Sequence, residues 1–172
     1  MLFRSVNGSG QTTGVTYANG ASAVIGYKGE TGAVSSHTLT KSGATLHHLA
    51  YTYDANGNLA TRNHGFGTLS QNANSSETYT YDNLNRLTDR AVTVTTQGKL
   101  PQSYTMTEAY RYDAFGNFTS KSGTGYYQYG SNKRLTGIYS NSGFTGTPLY
   151  NFSNGYDNNG NIVSDEIGRA HV

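Results

Sequence analysis

Four aspartates recur in one local setting: Asp54, Asp82, Asp113 and Asp157 each follow a tyrosine directly. Repeated carboxylates invite two chemistries, acid–base catalysis and calcium ligation. Calcium needs several oxygens converging from one loop or from neighbouring loops. Each of these segments offers one carboxylate with asparagines beside it, and no second acidic residue at ligand spacing. Hydrolysis of a glycosidic bond needs two carboxylates across a cleft, and the ten acidic residues are scattered over turns without such a pairing. An aspartate that opens a turn has a plainer use, accepting bonds from backbone N–H groups one or two residues on. Turn capping is the expected role.

Histidine supplies the second candidate set. His47 and His48 are adjacent in sequence, and neighbouring side chains of a strand point to opposite faces, so an extended segment cannot bring both to one ion. His37 stands alone, His64 lies in a stretch flanked by glycine, and a packing or surface role is expected of each. The absence of cysteine removes disulfides, thiolate metal sites and thiol nucleophiles. There is no Gly-x-Ser-x-Gly elbow and no GxxxxGK[ST] phosphate loop, and no serine has a base beside it in sequence. The expectation is of a protein that is not an enzyme and uses no cofactor and no metal.

The elements that position these residues must be strands. Charged residues make up 13% and hydrophobics 34% of the 172 residues, below the roughly 25% and 45–50% of ordinary globular chains. Gly, Thr, Ser and Asn account for close to half of the chain. These favour turns and strands, and good helix formers are scarce. Aromatics nevertheless reach 12%, 15 of them tyrosine. That separates the chain from disordered ones and makes tyrosine its main source of large buried area. A formal charge of +2 is too near neutral to call for nucleic acid or a membrane surface. No apolar run approaches the roughly 18 residues of a membrane span. The start, MLFRSVNGSGQTTG, has one arginine and no apolar core segment. It does not read as a signal peptide, and it resembles the interior of a coding sequence more than a natural start.

Five segments align without gaps. The first holds Tyr51, Tyr53, Asp54, Gly57, Asn58 and Leu59, and the second Tyr79, Tyr81, Asp82, Arg86 and Leu87. The third holds Tyr110, Tyr112, Asp113, Gly116, Asn117 and Phe118, and the fourth Tyr127, Tyr129, Arg134 and Leu135. The fifth holds Tyr156, Asp157, Gly160, Asn161 and Ile162. The shared frame is Tyr-x-Tyr-Asp-x-x-Gly-Asn followed by a large apolar residue. Its units lie near 51–62, 79–90, 110–121, 127–138 and 154–165. Intervals of 28, 31, 17 and 27 residues between them exclude a rigid solenoid with fixed rungs.

Tyr-x-Tyr puts two aromatics on one face of a strand. Asp opens the turn, Gly or Asn tolerates positive φ, and the apolar residue begins the return strand. Each unit is therefore a hairpin with a loop of about four or five residues. Because one hairpin is marginal in water, the units must pair edge to edge. In the fourth unit Gly130 replaces Asp, so a turn without the carboxylate is expected; in the second, Asn85 takes the glycine position. Residues 1–48 read as N-terminal strands, degenerate repeats with two further hairpin strands within 14–39, and 49–165 as the repeat array. Residues 71–77, 97–102 and 141–147 read as loops, and 91–96 as the clearest strand outside the frame.

The segments YDANGNLATR, YDNLNRLTDR and YDAFGNFTSK resemble the tyrosine-aspartate (YD) repeats of the RHS family. That family includes bacterial polymorphic toxins, the C component of insecticidal toxin complexes, wall-associated proteins and the animal teneurins. The resemblance covers about residues 14–165. It implies an all-β fold, consecutive hairpin repeats forming a strip of a large curved antiparallel sheet, the wall of a hollow shell. In the toxins the shell encloses a C-terminal toxic domain released by autoproteolysis. No Asp-Pro-x-Gly core segment and no variable toxin domain are recognisable in these 172 residues.

The function implied is encapsulation by a structural wall segment of a carrier whose cargo domain is absent here. The partners implied are the remainder of its own polypeptide, and the location is secreted or cell-surface. The alternative is an adhesin-like module whose tyrosine rows stack on cell-surface glycans; with tyrosine at equivalent sites of every repeat, packing between hairpins is the expected role. The basic residues Arg62, Arg86, Arg90, Arg111, Lys121, Lys133 and Arg134 read as a regular solvated face. Residues 166–172, EIGRAHV, break the frame. A common sequencing adapter read in this frame encodes the same string, so a non-native tail is expected.

Overall fold

The computed structural model describes residues 3–66, 73–96, 102–153, 155–163 and 166–167. Every regular element among them is a strand. The chain divides into two compact units, Met1–Thr107 and Glu108–Val172.

The first unit contains β1 (Phe3–Val6), β2 (Thr12–Thr16), β3 (Ala21–Tyr27), β4 (Val34–Lys41), β5 (Ala44–Tyr53), β6 (Leu59–Phe66), β7 (Ala73–Tyr81) and β8 (Leu87–Thr96). Each pairs antiparallel with the next. The first half of β9 (Ser103–Tyr112) lies beside β8, with Thr93 bonded to Thr105 at 2.9 Å. In the second unit the end of β9 is followed by β10 (Phe118–Lys121), β11 (Gly125–Tyr129), β12 (Leu135–Tyr139), β13 (Tyr150–Asn151) and β14 (Glu166–Ile167), again paired in sequence order. Residues 73–77, expected as loop, belong to β7. Asn and Ser suit turns in isolation, but here the backbone is claimed by a ladder to β8 that runs from Ala73 to Tyr81. Glu166–Ile167 pairs with β13 although no repeat predicts a strand there; residues 168–172 lie outside the described residues.

Alternation along the strands makes two chemically different faces. One carries the paired tyrosines. The other carries hydroxyls that bond across strands: Ser22 to Thr40 at 2.9 Å and Thr52 to Thr61 at 2.7 Å. The core is thin, as a single layer dictates. Its buried apolar residues are Ala21, Ala23, Val92 and Ile138, and no large side chain is fully buried among the described residues. The tyrosines of the repeat frame lie half-buried, covering the sheet rather than entering a second layer.

One turn recurs. In Asp54–Asn58 the Asp54 N–H donates to the Asn58 carbonyl at 2.9 Å and the Gly57 N–H returns to the Asp54 carbonyl at 3.1 Å. The same pair of bonds closes the turns opened by Asn7, Tyr17, Asp82, Asp113, Gly130 and Asp157. The fourth residue is always left-handed, with φ of 85° at Gly57, 58° at Asn85, 90° at Gly116 and 63° at Lys133. This is a type I turn with a bulge, the usual form of three-residue hairpin loops, and the register slips beside it between Thr52 and Tyr53 and between Thr80 and Tyr81. The fourth unit thus turns without its aspartate. The fifth turn keeps the same pair of bonds, and an isolated bridge joins Tyr156 to Ile162 beside it.

No atom beyond the chain neighbours lies within 4 Å of a Cβ added at Gly57 or Gly116, and both have positive φ, so the backbone is what opposes substitution. Gly57→Val and Gly116→Val are each expected to cost about 1–2 kcal/mol, read as a lower melting midpoint. Unchanged melting in both variants would remove the positive-φ requirement.

Candidate functional site

The repeated aspartates cap their own turns. Asp54 Oδ1 accepts the N–H groups of Asn56 (2.9 Å) and Asn58 (2.8 Å), and Oδ2 accepts Asn58 Nδ2 at 3.0 Å. Asp113 binds Phe115 and Asn117 in the same way, and Asp157 binds Asn159 and Asn161. In the second unit of the repeat Arg86 takes the asparagine's place, its Nε 2.7 Å from Asp82 Oδ2. The side chains of Asn58, Asn117 and Asn161 are the leading cause that holds Asp54, Asp113 and Asp157 below the ordinary carboxylate range; for Asp82 it is the Arg86 N–H. These carboxylates stabilise the turns above the unfolded aspartate pKa, and that support is lost as pH falls through the lowered folded values.

Two further turns use asparagine in place of aspartate. Asn7 Oδ1 accepts from Ser9 and Gln11, and Asn141 Oδ1 from Gly143 and Thr145, with Phe144 left-handed at 52°. Allowing Asn for Asp in the frame would have found Asn7, which keeps Gly10 at the glycine position; Asn141, with Phe144 there, departs from the frame further. Neighbouring turns also touch: Asn85 Oδ1 accepts Asn58 Nδ2 at 2.8 Å and Asn56 Nδ2 at 3.2 Å.

In the first, second and fifth repeats the second tyrosine ties its unit to an earlier strand. Tyr53 donates to the Val34 carbonyl (2.8 Å), Tyr81 to Leu59 (2.9 Å) and Tyr156 to Leu135 (2.9 Å). Val34, Leu59 and Leu135 each open a strand, so the apolar residue that starts one return strand receives the hydroxyl of a later repeat. Tyr27 does the same to Thr12 at 2.8 Å, outside the recognised repeats. In the second unit Tyr112 stacks on Phe118 at 4.9 Å, and Phe118 meets Tyr127 at 5.7 Å. Burial raises the Tyr81 and Tyr129 phenols. Tyr81→Phe and Tyr156→Phe each delete one hydroxyl without altering shape and are expected to cost about 1 kcal/mol. Denaturant midpoints of the two single variants test this, and parental midpoints in both would show that the hydroxyls add nothing.

The first tyrosines meet charge. Tyr110 donates to Glu108 at 2.9 Å, with Lys121 Nζ 5.6 Å from its ring. Tyr79 donates to Glu77, which is 3% exposed. Arg62 Nε and Nη2 bind Glu77 Oε1, while Arg90 holds Oε2 at 3.1 Å through Nε and 3.0 Å through Nη2. Burial pushes the Glu77 carboxyl up, but bonds from Tyr79, Arg62 and Arg90 together outweigh it and leave the group below its ordinary value. The expected solvated basic face is therefore corrected at Arg62 and Arg90, which lie on the tyrosine face around a buried acid. Arg86 serves a turn, and Arg134 lies 5.3 Å over the Tyr156 ring.

Three of the histidines pack against one another, and the fourth lies apart from them. His37 on β4, His47 on β5 and His64 on β6 share the tyrosine face and meet as a row, His37 to His47 at 5.2 Å and His47 to His64 at 5.6 Å between ring centroids. His48 points to the hydroxyl face, where Nδ1 lies 2.7 Å from Thr38 Oγ1. Residues far apart in sequence are brought together by strand register, which no spacing rule reveals. Among the described residues no group of three His, Asp or Glu is arranged to hold a metal ion. An open cleft of about 500 Å³ in the second unit, lined by Arg111, Lys121, Ser122 and Tyr126, contains no carboxylate or imidazole.

No protein-family model matches the chain, and no curated protein matches its sequence. A solved structure does match: the crystal structure of TcdB2-TccC3-TEV, an RHS/YD-repeat toxin complex. The likeness has a TM-score of 0.62 at 16% identity and covers 97% of this chain. It extends over 10% of that chain, so the present sequence spans about a tenth of its length. The fold is RHS-like: antiparallel, all-β, with no helix among the described residues.

Proposed function

We propose that this RHS-like sheet is a segment of the encapsulating wall of a larger YD-repeat protein, a carrier for a C-terminal toxin or effector domain. The observation that carries the reading is continuity. Consecutive strands pair in order, and the Tyr53, Tyr81 and Tyr156 hydroxyls tie repeats to the strands before them. A sheet whose repeated chemistry goes into joining its own repeats is suited to be a barrier. The likeness to a toxin complex that is about ten times longer supports the same reading. Its partners would then be the other parts of its own polypeptide, in a secreted or cell-surface protein. We infer no catalysis for it, because the repeated carboxylates are engaged by their own turns.

The test begins with the source DNA read outward from the codons for residues 154–164. The full reading frame is then expressed and treated with protease. The expected result is further repeats and an unrelated C-terminal domain that resists cleavage until the repeats are unfolded. A C-terminal domain cut as fast as the free domain would overturn encapsulation. Glycan-array binding by residues 1–165, abolished by Tyr→Ala changes on one face only, would establish the adhesin-like module instead.

A further inference from the structure

The row of imidazoles across β4–β6 takes no part in the turns or the repeat ties. His37 and His47 stack, His64 meets His47 edge-on, and Phe66 covers His64 at 4.0 Å. The Nδ1 atoms of His37 and His47 are buried without a hydrogen-bond partner. A neutral ring can leave an acceptor nitrogen unpaired at modest cost, but a protonated ring has N–H donors at both nitrogens. A buried unpaired charged donor is far more costly.

The surroundings offer little to receive that charge. Ile25 of β3 stands opposite His37, Leu39 of β4 opposite His47, Leu49 of β5 between His37 and His64, and Ser75 of β7 opposite His64. Strands β3, β4 and β5 contain no carboxylate. The titratable groups on β5 besides His47 are Tyr51 and Tyr53 on this face and His48 on the other. On β6 Arg62 lies two residues from His64 on the same face. On β7 the acid is Glu77, already bound by Arg62, Tyr79 and Arg90.

We propose that His37, His47 and His64 form a proton-operated seam, closed while the rings are neutral and opened in mild acid, so that β4–β6 lose their pairing. Desolvation first, and then His47, hold His37 and His64 below the ordinary histidine value; Arg62 acts in the same direction on His64, and Glu77 against it. The opened segment therefore binds more protons than the closed one. Stability is full above the unfolded histidine pKa of about 6.5 and falls as pH drops from there toward the lowered folded values. Each additional proton taken up on opening raises the open fraction about tenfold per pH unit, so two give about a hundredfold. The Glu77 clamp fails only below the ordinary glutamate range near pH 4, which keeps the two windows apart. This inference does not depend on the encapsulation reading.

Hydrogen exchange of the full chain, corrected for intrinsic rates, tests it between about pH 7.5 and 5. Opening of the Val34–Phe66 amides is expected to stay level above about pH 6.5 and below it to rise by more than tenfold per pH unit, while β7 and β8 hold. The triple variant His37→Gln, His47→Gln, His64→Gln is expected to flatten that rise, and His48→Gln to retain it. A flat profile in the parent, or an unchanged slope in the triple variant, would overturn the seam. Should the triple variant fail to fold, imidazole titration by NMR in the parent decides: His37 or His64 titrating at or above the ordinary value sinks the proposal, and depressed titration of both upholds it.

Discussion

Glu77→Ala is expected to destabilise the first unit by about 2–4 kcal/mol, below the 3–5 kcal/mol typical of a fully buried pair. The discount follows from the partners. The Arg62 and Arg90 side chains are 41% and 30% exposed, against 4% for Glu77, so water screens part of what is lost. Glu77→Gln keeps the volume but not the charge, and should cost less, about 1–3 kcal/mol. The double change Arg62→Ala, Arg90→Ala leaves a nearly buried carboxylate with Tyr79 as its remaining named donor, and burial then raises its pKa. The sign of the pH effect follows. A depressed folded pKa gives stability that is present above the unfolded glutamate pKa of about 4.3 and lost as pH falls through the folded value. Urea midpoints of parent and Glu77→Gln should therefore differ at neutral pH and converge in strong acid. A Glu77→Ala midpoint equal to the parent's at neutral pH would show that the clamp adds nothing.

Gly125→Ala is expected to cost the second unit about 3–5 kcal/mol, combining a backbone strain of about 1–3 with an overpacking cost of similar size. Gly125 opens β11 at φ 132°, a conformation reserved for glycine, and an added Cβ would run into the Tyr139 carbonyl oxygen. That oxygen is backbone in the paired strand and cannot rotate away. Gly26 supplies the contrast. An added Cβ there would sit 2.5 Å from Ser36 Oγ, the end of a side chain that can change rotamer, so Gly26→Ala should cost less than about 1 kcal/mol. Thermal melts of the two variants separate the cases, and equal losses would refute the distinction between fixed backbone and movable hydroxyl.

The repeat turns were legible because they are local. Asp54, Gly57 and Asn58 meet one another within five residues, and the Asp–backbone bonds and positive φ depend on little else. The same frame misses Asn7 and Asn141, where a carboxamide does the work of a carboxylate. It also misplaces 73–77 as loop, because the polarity of a strand with a hydroxyl face resembles that of a turn. The Glu77 clamp and the histidine row were not legible. Arg62 and Glu77 are 15 residues apart, and they meet because β6 and β7 pair with these two opposite one another. A slip of one residue would send either to the other face.

The sequence by itself determined an all-β chain, the position and handedness of its Asp turns, and the face on which paired tyrosines stand. Each of these depends on neighbours a few residues away, through turn chemistry and the two-residue period of a strand. Only the tertiary structure decided which charges and rings on that face meet. Those contacts depend on register between separate strands, set by backbone pairing and by loops of unequal length, and no local pattern encodes it.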